Sequence, residues 1–166
     1  MKQFFKLLCV ALMAVALSSC NPMSKIKLHG VARTSVSELV SQISSLGSGS
    51  NTMVIGVDME NQLGLNVKAT EAKFELREGE RVFVTATLAE PVKLRHNTRD
   101  VVDVKFNVEM KGGLLQTIAL ARTVMQSPEK LTVSGEVVGK CAGIKKKKTL
   151  SPQPLSNLIS KFANRK

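Results

Sequence analysis

Apolar and polar residues alternate with period two along much of the chain. Met53, Ile55, Val57 and Met59 share one face of a strand that ends near Asn61, and Gly64 marks the turn behind it. Val67, Ala69, Phe74 and Leu76 continue the pattern, Glu78-Gly79-Glu80 supplies a hairpin turn, and Val82, Val84, Ala86 and Leu88 alternate after it. Pro91 ends that run. Val92-Lys93-Leu94 forms a short edge piece, and Val102, Val104, Phe106, Val108 and Met110 line one face of a half-buried strand. Gly112-Gly113 then breaks the alternation, and Leu114, Leu115, Ile118, Ala121, Val124 and Met125 recur at helical spacing up to Ser127-Pro128. Leu131, Val133 and Val137 return to period two, and residues 144–150 pair with them across 139–143. Toward the start, Ile26 to Val31 reads as a first strand. Ser35 and Glu38 have the spacing of a capping box, and Val36, Leu39, Val40 and Ile43 follow on one helical face. The serine and glycine stretch 44–51 is too polar and flexible to pack and predicts an exposed loop. Pro152 and Pro154 introduce a short C-terminal helix with Leu155, Leu158, Ile159 and Phe162 on one face. Short strands separated by turn signals and broken by one mid-chain helix predict a mainly β fold, a two-layer antiparallel β-sandwich.

The first residues follow a different logic. Lys2 and Lys6 flank a positively charged start, and Leu7 to Leu17 is uncharged and apolar, the layout of a secretory signal. The apolar run is about half of the ~20 residues that a bilayer-spanning helix needs. It closes on Leu17-Ser18-Ser19-Cys20, which resembles the bacterial lipoprotein signal, in which a cysteine after two small residues is acylated and becomes the first residue of the mature chain. The competing reading is an ordinary signal peptide with Cys20 an incidental thiol. The resemblance implies a signal peptide at 1–19, a lipidated tether at 20–25, and a single domain over 26–166 whose basic tail spans about 144–166. It places the protein in the bacterial cell envelope, and Asn21 in place of Asp after the cysteine implies the outer membrane. Cys9 would leave with the signal and lipid would occupy Cys20, leaving Cys141 as the free thiol, so the fold must stand on its core.

The stretch from Val54 to Phe162 resembles the late embryogenesis abundant type 2 domain, also called the water-stress and hypersensitive-response domain, in its bacterial lipoprotein form. The segments carrying the resemblance are Ile55-Gly56-Val57-Asp58-Met59-Glu60-Asn61, the hairpin Val67 to Leu88, Leu131-Thr132-Val133-Ser134-Gly135, and Pro154-Leu155-Ser156-Asn157-Leu158. Where that family commonly has Asn-Pro, this chain has Asn61-Gln62. The resemblance implies an immunoglobulin or fibronectin III-like sandwich and a non-enzymatic role in stress protection, membrane interaction or binding of a ligand. It supplies no catalytic residues.

Candidate chemistry is sparse. His29 and His96 lack Cys, Asp or Glu at ligand spacing, so a structural or solvated role outweighs a metal site. Cys141 lies between Lys140 and Lys145, which would favour its thiolate, yet no base is near it in sequence. Glu75, Glu78 and Glu80 gather at a hairpin rather than in a cleft. No phosphate loop, Cys-x-x-Cys or serine elbow occurs. The expectation is a protein that is not an enzyme and needs no metal or cofactor.

Charge changes the picture more. Residues 21–136 carry 14 basic and 13 acidic side chains, whereas residues 137–166 carry eight basic and none acidic. Lys145, Lys146, Lys147, Lys148, Lys161, Arg165 and Lys166 would attract anionic headgroups, lipopolysaccharide phosphates or an acidic protein partner. The envelope location and the lack of interleaved aromatics disfavour nucleic acid. A structural reading stands beside this one: lysines on an edge strand block edge-to-edge pairing. The tail helix, similarly, either docks on the sandwich or enters the membrane. The function expected is a non-catalytic, membrane-anchored lipoprotein that binds or stabilises a membrane or protein partner. The alternative is a carrier holding a hydrophobic molecule between its sheets.

Overall fold

The strongest alternating runs of the sequence pair with each other. In the computed structural model, which describes residues 25–33 and 51–157, β2 (Asn51–Asn61) and β6 (Thr98–Met110) run antiparallel in unbroken register from Asn51 opposite Val108 to Asn61 opposite Thr98. Met53, Ile55, Val57 and Met59 therefore share a buried face with Val104 and Phe106, as their spacing predicts. β1 (Ile26–Arg33) pairs with the free side of β2, with bulges at His29 and Ala32. β3 (Val67–Glu78) and β4 (Arg81–Leu88) form the expected hairpin, and β5 (Val92–Leu94) continues alongside the first residues of β3. After helix α1 (Gly113–Gln126) and a single 3-10 turn at Pro128–Lys130, β7 (Leu131–Cys141) runs along the other side of β3. β8 (Ile144–Pro154) pairs with β7, and residues 155–157 are helical. The signal segment, Cys20, the helix expected at Ser35, the 44–50 loop and the chain beyond Asn157 lie outside the described residues.

The chain is mainly β and antiparallel, as expected, but the strands join into one sheet in the order β1-β2-β6-β4-β3-β7-β8, curled into a half-barrel. Two separate hydrogen-bonded layers are not what the pairing displays. Irregular register helps one sheet to wrap on itself, because each bulge bends and twists its strand. Phe83 is an extra residue of β4 between the pairs Leu76–Val84 and Arg77–Val82, and Thr70 is an extra residue of β3 against β7. The concave face holds one core built from both halves of the curl. Phe74 meets Phe106 with ring centroids 6.2 Å apart, and Leu131, Val133, Val104 and Leu155 are fully buried. Leu155, the first apolar residue of the tail segment, is thus part of the domain.

Four side chains depart from the predicted faces. Phe83, on the polar phase of its strand, is buried through the bulge, with Arg81 stacked 5.2 Å above its ring. Among the described side chains of α1, Leu120 is buried at 2% exposure, whereas Leu115 and Ile118, expected on the packed face, stand in solvent.

The β7–β8 turn contains a correctable strain. Its two central residues, Ala142 and Gly143, have φ of 50° and 83°. Both lie in the left-handed region that two-residue hairpins require and that favours Asn-Gly. Ala142→Asn is expected to stabilise the protein by about 1 kcal/mol, raising Tm by roughly 3 °C in a thermal melt. An unchanged or lowered Tm would contradict this turn geometry.

Candidate interaction surface

β8 ends the strand order, so the lysine run lies on an edge strand. Its register places Lys145 opposite Lys140, Lys146 opposite Gly139, Lys147 opposite Val138 and Lys148 opposite Val137. By strand alternation Lys145 and Lys147 face outward from the half-barrel, while Lys146 and Lys148 lie on its concave side. Lys147 Nζ is 2.5 Å from Glu136 Oε2, an ion pair on the outer face. The protective edge role weighed from sequence matches this position: positive charge on both faces of an exposed edge discourages pairing with another chain. Lys161, Arg165, Lys166 and Cys20 lie outside the described residues, so the structure brings together four of the eight residues singled out from sequence.

Register adds three lysines to the candidate surface expected from sequence. Lys93 of β5 lies opposite Lys68 of β3, Lys68 lies opposite Lys140 of β7, and Lys140 lies opposite Lys145 of β8. Directly opposed residues share a face, so four lysines form a row across four adjacent strands, about 14 Å long at ~4.8 Å per strand. Like charges directly opposed destabilise a sheet by roughly 0.2–1 kcal/mol per pair. None of the four makes an ion pair among the described residues. On the same face Glu136 is engaged by Lys147 and Glu75 by Lys73 and Arg77, while Glu71, opposite Val138, makes no ion pair among the described residues. No local motif signals this row, because its members Lys68, Lys93, Lys140 and Lys145 follow one another at spacings of 25, 47 and 5 positions along the chain.

The row sits near one pole of the half-barrel. There β1 begins, β2 ends, β3 begins, β5 ends, β6 begins and the β7–β8 turn closes. Asn61, only 1% exposed, ties this pole together. Its Nδ2 donates to the carbonyls of Leu65 at 3.0 Å, Arg95 at 3.0 Å and, more weakly, Leu94 at 3.3 Å. Its Oδ1 accepts from the Leu63 amide at 3.0 Å. The Gln62 amide donates to the Lys25 carbonyl at 3.0 Å, which fixes the entry of the chain at the same pole. Two large apolar side chains project there, Leu65 at 52% and Ile144 at 63% exposure.

The remaining candidates resolve into surface structure. The bulge at His29 brings its Nε2 within 2.8 Å of Glu60 Oε2, a pairing invisible in sequence. Hydrogen bonds from Gln62 and His29 hold the Glu60 carboxyl below its usual range. Beside it, Arg99 grips Asp58 with two nitrogens at 3.0 and 2.7 Å and lowers its pKa. The His96 amide and Nδ1 both meet Asn66 Oδ1, at 2.9 and 3.1 Å. Glu75 stands on the outer face rather than at the hairpin tip, and its carboxyl is held low chiefly by Arg77 and then by Lys73. Cys141, half-buried, packs against the core opposite Val67 and Ile144. Among the described residues no cluster of three His, Cys, Asp or Glu side chains could hold a metal ion, and no helix is long and apolar enough to cross a membrane. A shallow cavity of about 240 Å³ opens on the outer face among Glu71, Lys73, Thr87, Leu88 and Glu136.

No protein-family model and no curated protein matches the chain. Among solved structures it is similar to a protein from Archaeoglobus fulgidus, with a TM-score of 0.44 at 6% identity, over 77% of this chain and 91% of that one. At that distance the likeness defines neither a family nor a function.

Proposed function

We propose that this is a non-catalytic, lipid-anchored protein of the bacterial envelope whose β domain holds to an anionic membrane surface through its basic C-terminal region. The observation that carries the reading is the concentration of cationic charge on β8. The chain from 137 onward has eight basic and no acidic residues, and four of the eight follow one another on an exposed edge strand. A lipidated Cys20 would keep the domain close to headgroups, where each lysine near an anionic surface contributes about 1 kcal/mol. The pattern shared with late embryogenesis abundant type 2 domains supports a role in binding or protection rather than catalysis. The carrier reading draws on the aliphatic, aromatic-poor core alone.

The test uses the chain from residue 21 onward, which carries neither the apolar 7–17 segment nor the lipid-bearing Cys20, in vesicle co-sedimentation. The protein is expected to bind phosphatidylglycerol vesicles at low salt, to release them as salt rises, and to ignore phosphatidylcholine. Replacing Lys145, Lys146, Lys147 and Lys148 by Glu is expected to weaken binding at least 100-fold, at about 1 kcal/mol or more per site. Binding that ignores salt and this fourfold change would defeat the reading.

A further inference from the structure

Four features meet at one pole of the half-barrel. The first is the lysine row Lys93–Lys68–Lys140–Lys145, which has no ion-pair partner among the described residues. The second is the pair of projecting apolar side chains, Leu65 on the β2–β3 connection and Ile144 at the start of β8. The third is further positive charge, exposed Arg95 next to β5 and exposed Lys25 and Lys27 where the chain enters β1. The fourth is the entry point itself, pinned by the hydrogen bond from Gln62 to Lys25. Five residues separate Lys25 from Cys20, a reach of at most about 17 Å. A lipid on Cys20 would therefore hold this pole, and not the opposite one carrying α1, against the bilayer.

We infer that this pole is the membrane-docking face of the domain, with Leu65 and Ile144 entering the headgroup boundary of an anionic phospholipid bilayer and the lysine row lying over its phosphates. The inference rests on the proposed anionic-membrane reading and extends it from the β8 run to a defined orientation. It assigns roles to Lys68, Lys93, Leu65 and Ile144. Opposed lysines repel one another in water. Each gains a counter-charge when lipid phosphates line the face, so docking relieves a repulsion built into the sheet. The two apolar side chains are isolated projections, suited to shallow entry beside the charges rather than to burial against a protein groove.

The chain has no Trp or Tyr, so one introduced tryptophan is its sole indole. Three variants of the full lipidated chain, Leu65→Trp, Ile144→Trp and Leu115→Trp, are reconstituted on phosphatidylglycerol vesicles containing brominated lipid. Leu115, 81% exposed on α1 at the far pole, is the reference. The expected result is blue-shifted, bromine-quenched emission at positions 65 and 144, with position 115 remaining in water. Lys68→Glu with Lys93→Glu, placed in the Ile144→Trp background, should abolish the quenching on anionic vesicles while circular dichroism shows the sheet intact. Quenching at 115 instead of 65 and 144, or quenching indifferent to the double charge reversal, would overturn the inference. If both pole positions stay in water while the unlipidated chain still binds through Lys145 to Lys148, the orientation fails and the proposed function survives. Loss of that salt-dependent binding would remove both.

Discussion

Replacing Asn61 by leucine is expected to destabilise the domain by about 3 kcal/mol or more. The change keeps the number of side-chain heavy atoms but puts bulkier methyl groups at a position that is 1% exposed, so overpacking adds to the lost hydrogen bonds. It leaves the carbonyls of Leu65, Leu94 and Arg95 and the amide of Leu63 without the side chain that joins them. A buried polar group deprived of its partner costs about 1–3 kcal/mol, and some of these loop groups will turn to water, which keeps the total below the simple sum. Asn61→Asp distinguishes the hydrogen bonds from the shape. It retains the acceptor for Leu63 but aims a carboxylate at three carbonyls, which raises its folded-state pKa above the ordinary value of about 3.9. Its penalty is then full at neutral pH and shrinks as pH falls through the raised folded pKa toward the unfolded one, where the protonated acid regains a donor. Urea unfolding of both variants at pH 7 and pH 4.5 checks this: the leucine variant should stay equally impaired relative to wild type, and the aspartate variant should recover at the lower pH. A cost under about 1 kcal/mol for the leucine change would mean that solvent readily satisfies these loops and that Asn61 does not hold the pole.

Asn61 also illustrates what could be read from the sequence. The alternation Met53, Ile55, Val57, Met59 ends on it, and β2 ends there too, because the next side chain in phase is a buried amide that gathers loop carbonyls. The β3–β4 hairpin, the short β5, the long β6 and the β7–β8 pairing were legible for the same reason: a period of two records which face of a strand is dry. It does not record which strand lies alongside. Val104 and Val133 have the same pattern whether their strands belong to two layers or to one curled sheet, so the sandwich expectation could not be separated from the half-barrel. The bulge that buries Phe83 shifts a single residue out of phase. Leu120 was missed because α1 turns Leu115 and Ile118 outward, a choice made by its contact with the sheet rather than by spacing. The candidate surface divides in the same way. Lys145 to Lys148 are adjacent in sequence and were visible, whereas Lys68, Lys93 and Lys140 become their neighbours only through register. Long-range pairing is information that local pattern does not carry.

Gly135→Val is expected to cost about 4 kcal/mol, and Gly135→Ala about 2–3 kcal/mol. Gly135 of β7 lies between Phe74 of β3 and Leu150 of β8. A Cβ there would fall 2.3 Å from Phe74 Cδ1 and 2.6 Å from the Lys73 carbonyl oxygen. The backbone dihedrals at this position are open to any residue, so the cost is steric. The ring could move only by giving up its place against Phe106, 6.2 Å away in a close-packed core. The carbonyl belongs to β3 and cannot rotate away without disturbing the β3–β7 ladder. Phe74 thus lies over the glycine and fills the space that a side chain would take, a pairing that secures register at an otherwise featureless strand position. A double-mutant cycle separates the two clashes. Phe74→Leu alone removes aromatic packing and destabilises, yet combined with Gly135→Ala it should return roughly 1 kcal/mol relative to additivity, because only the ring contact is relieved. The residual deficit measures the carbonyl clash. Strict additivity in urea unfolding would place the whole cost on the backbone, and a Gly135→Ala variant as stable as wild type would show that β7 can draw away from β3 at this point.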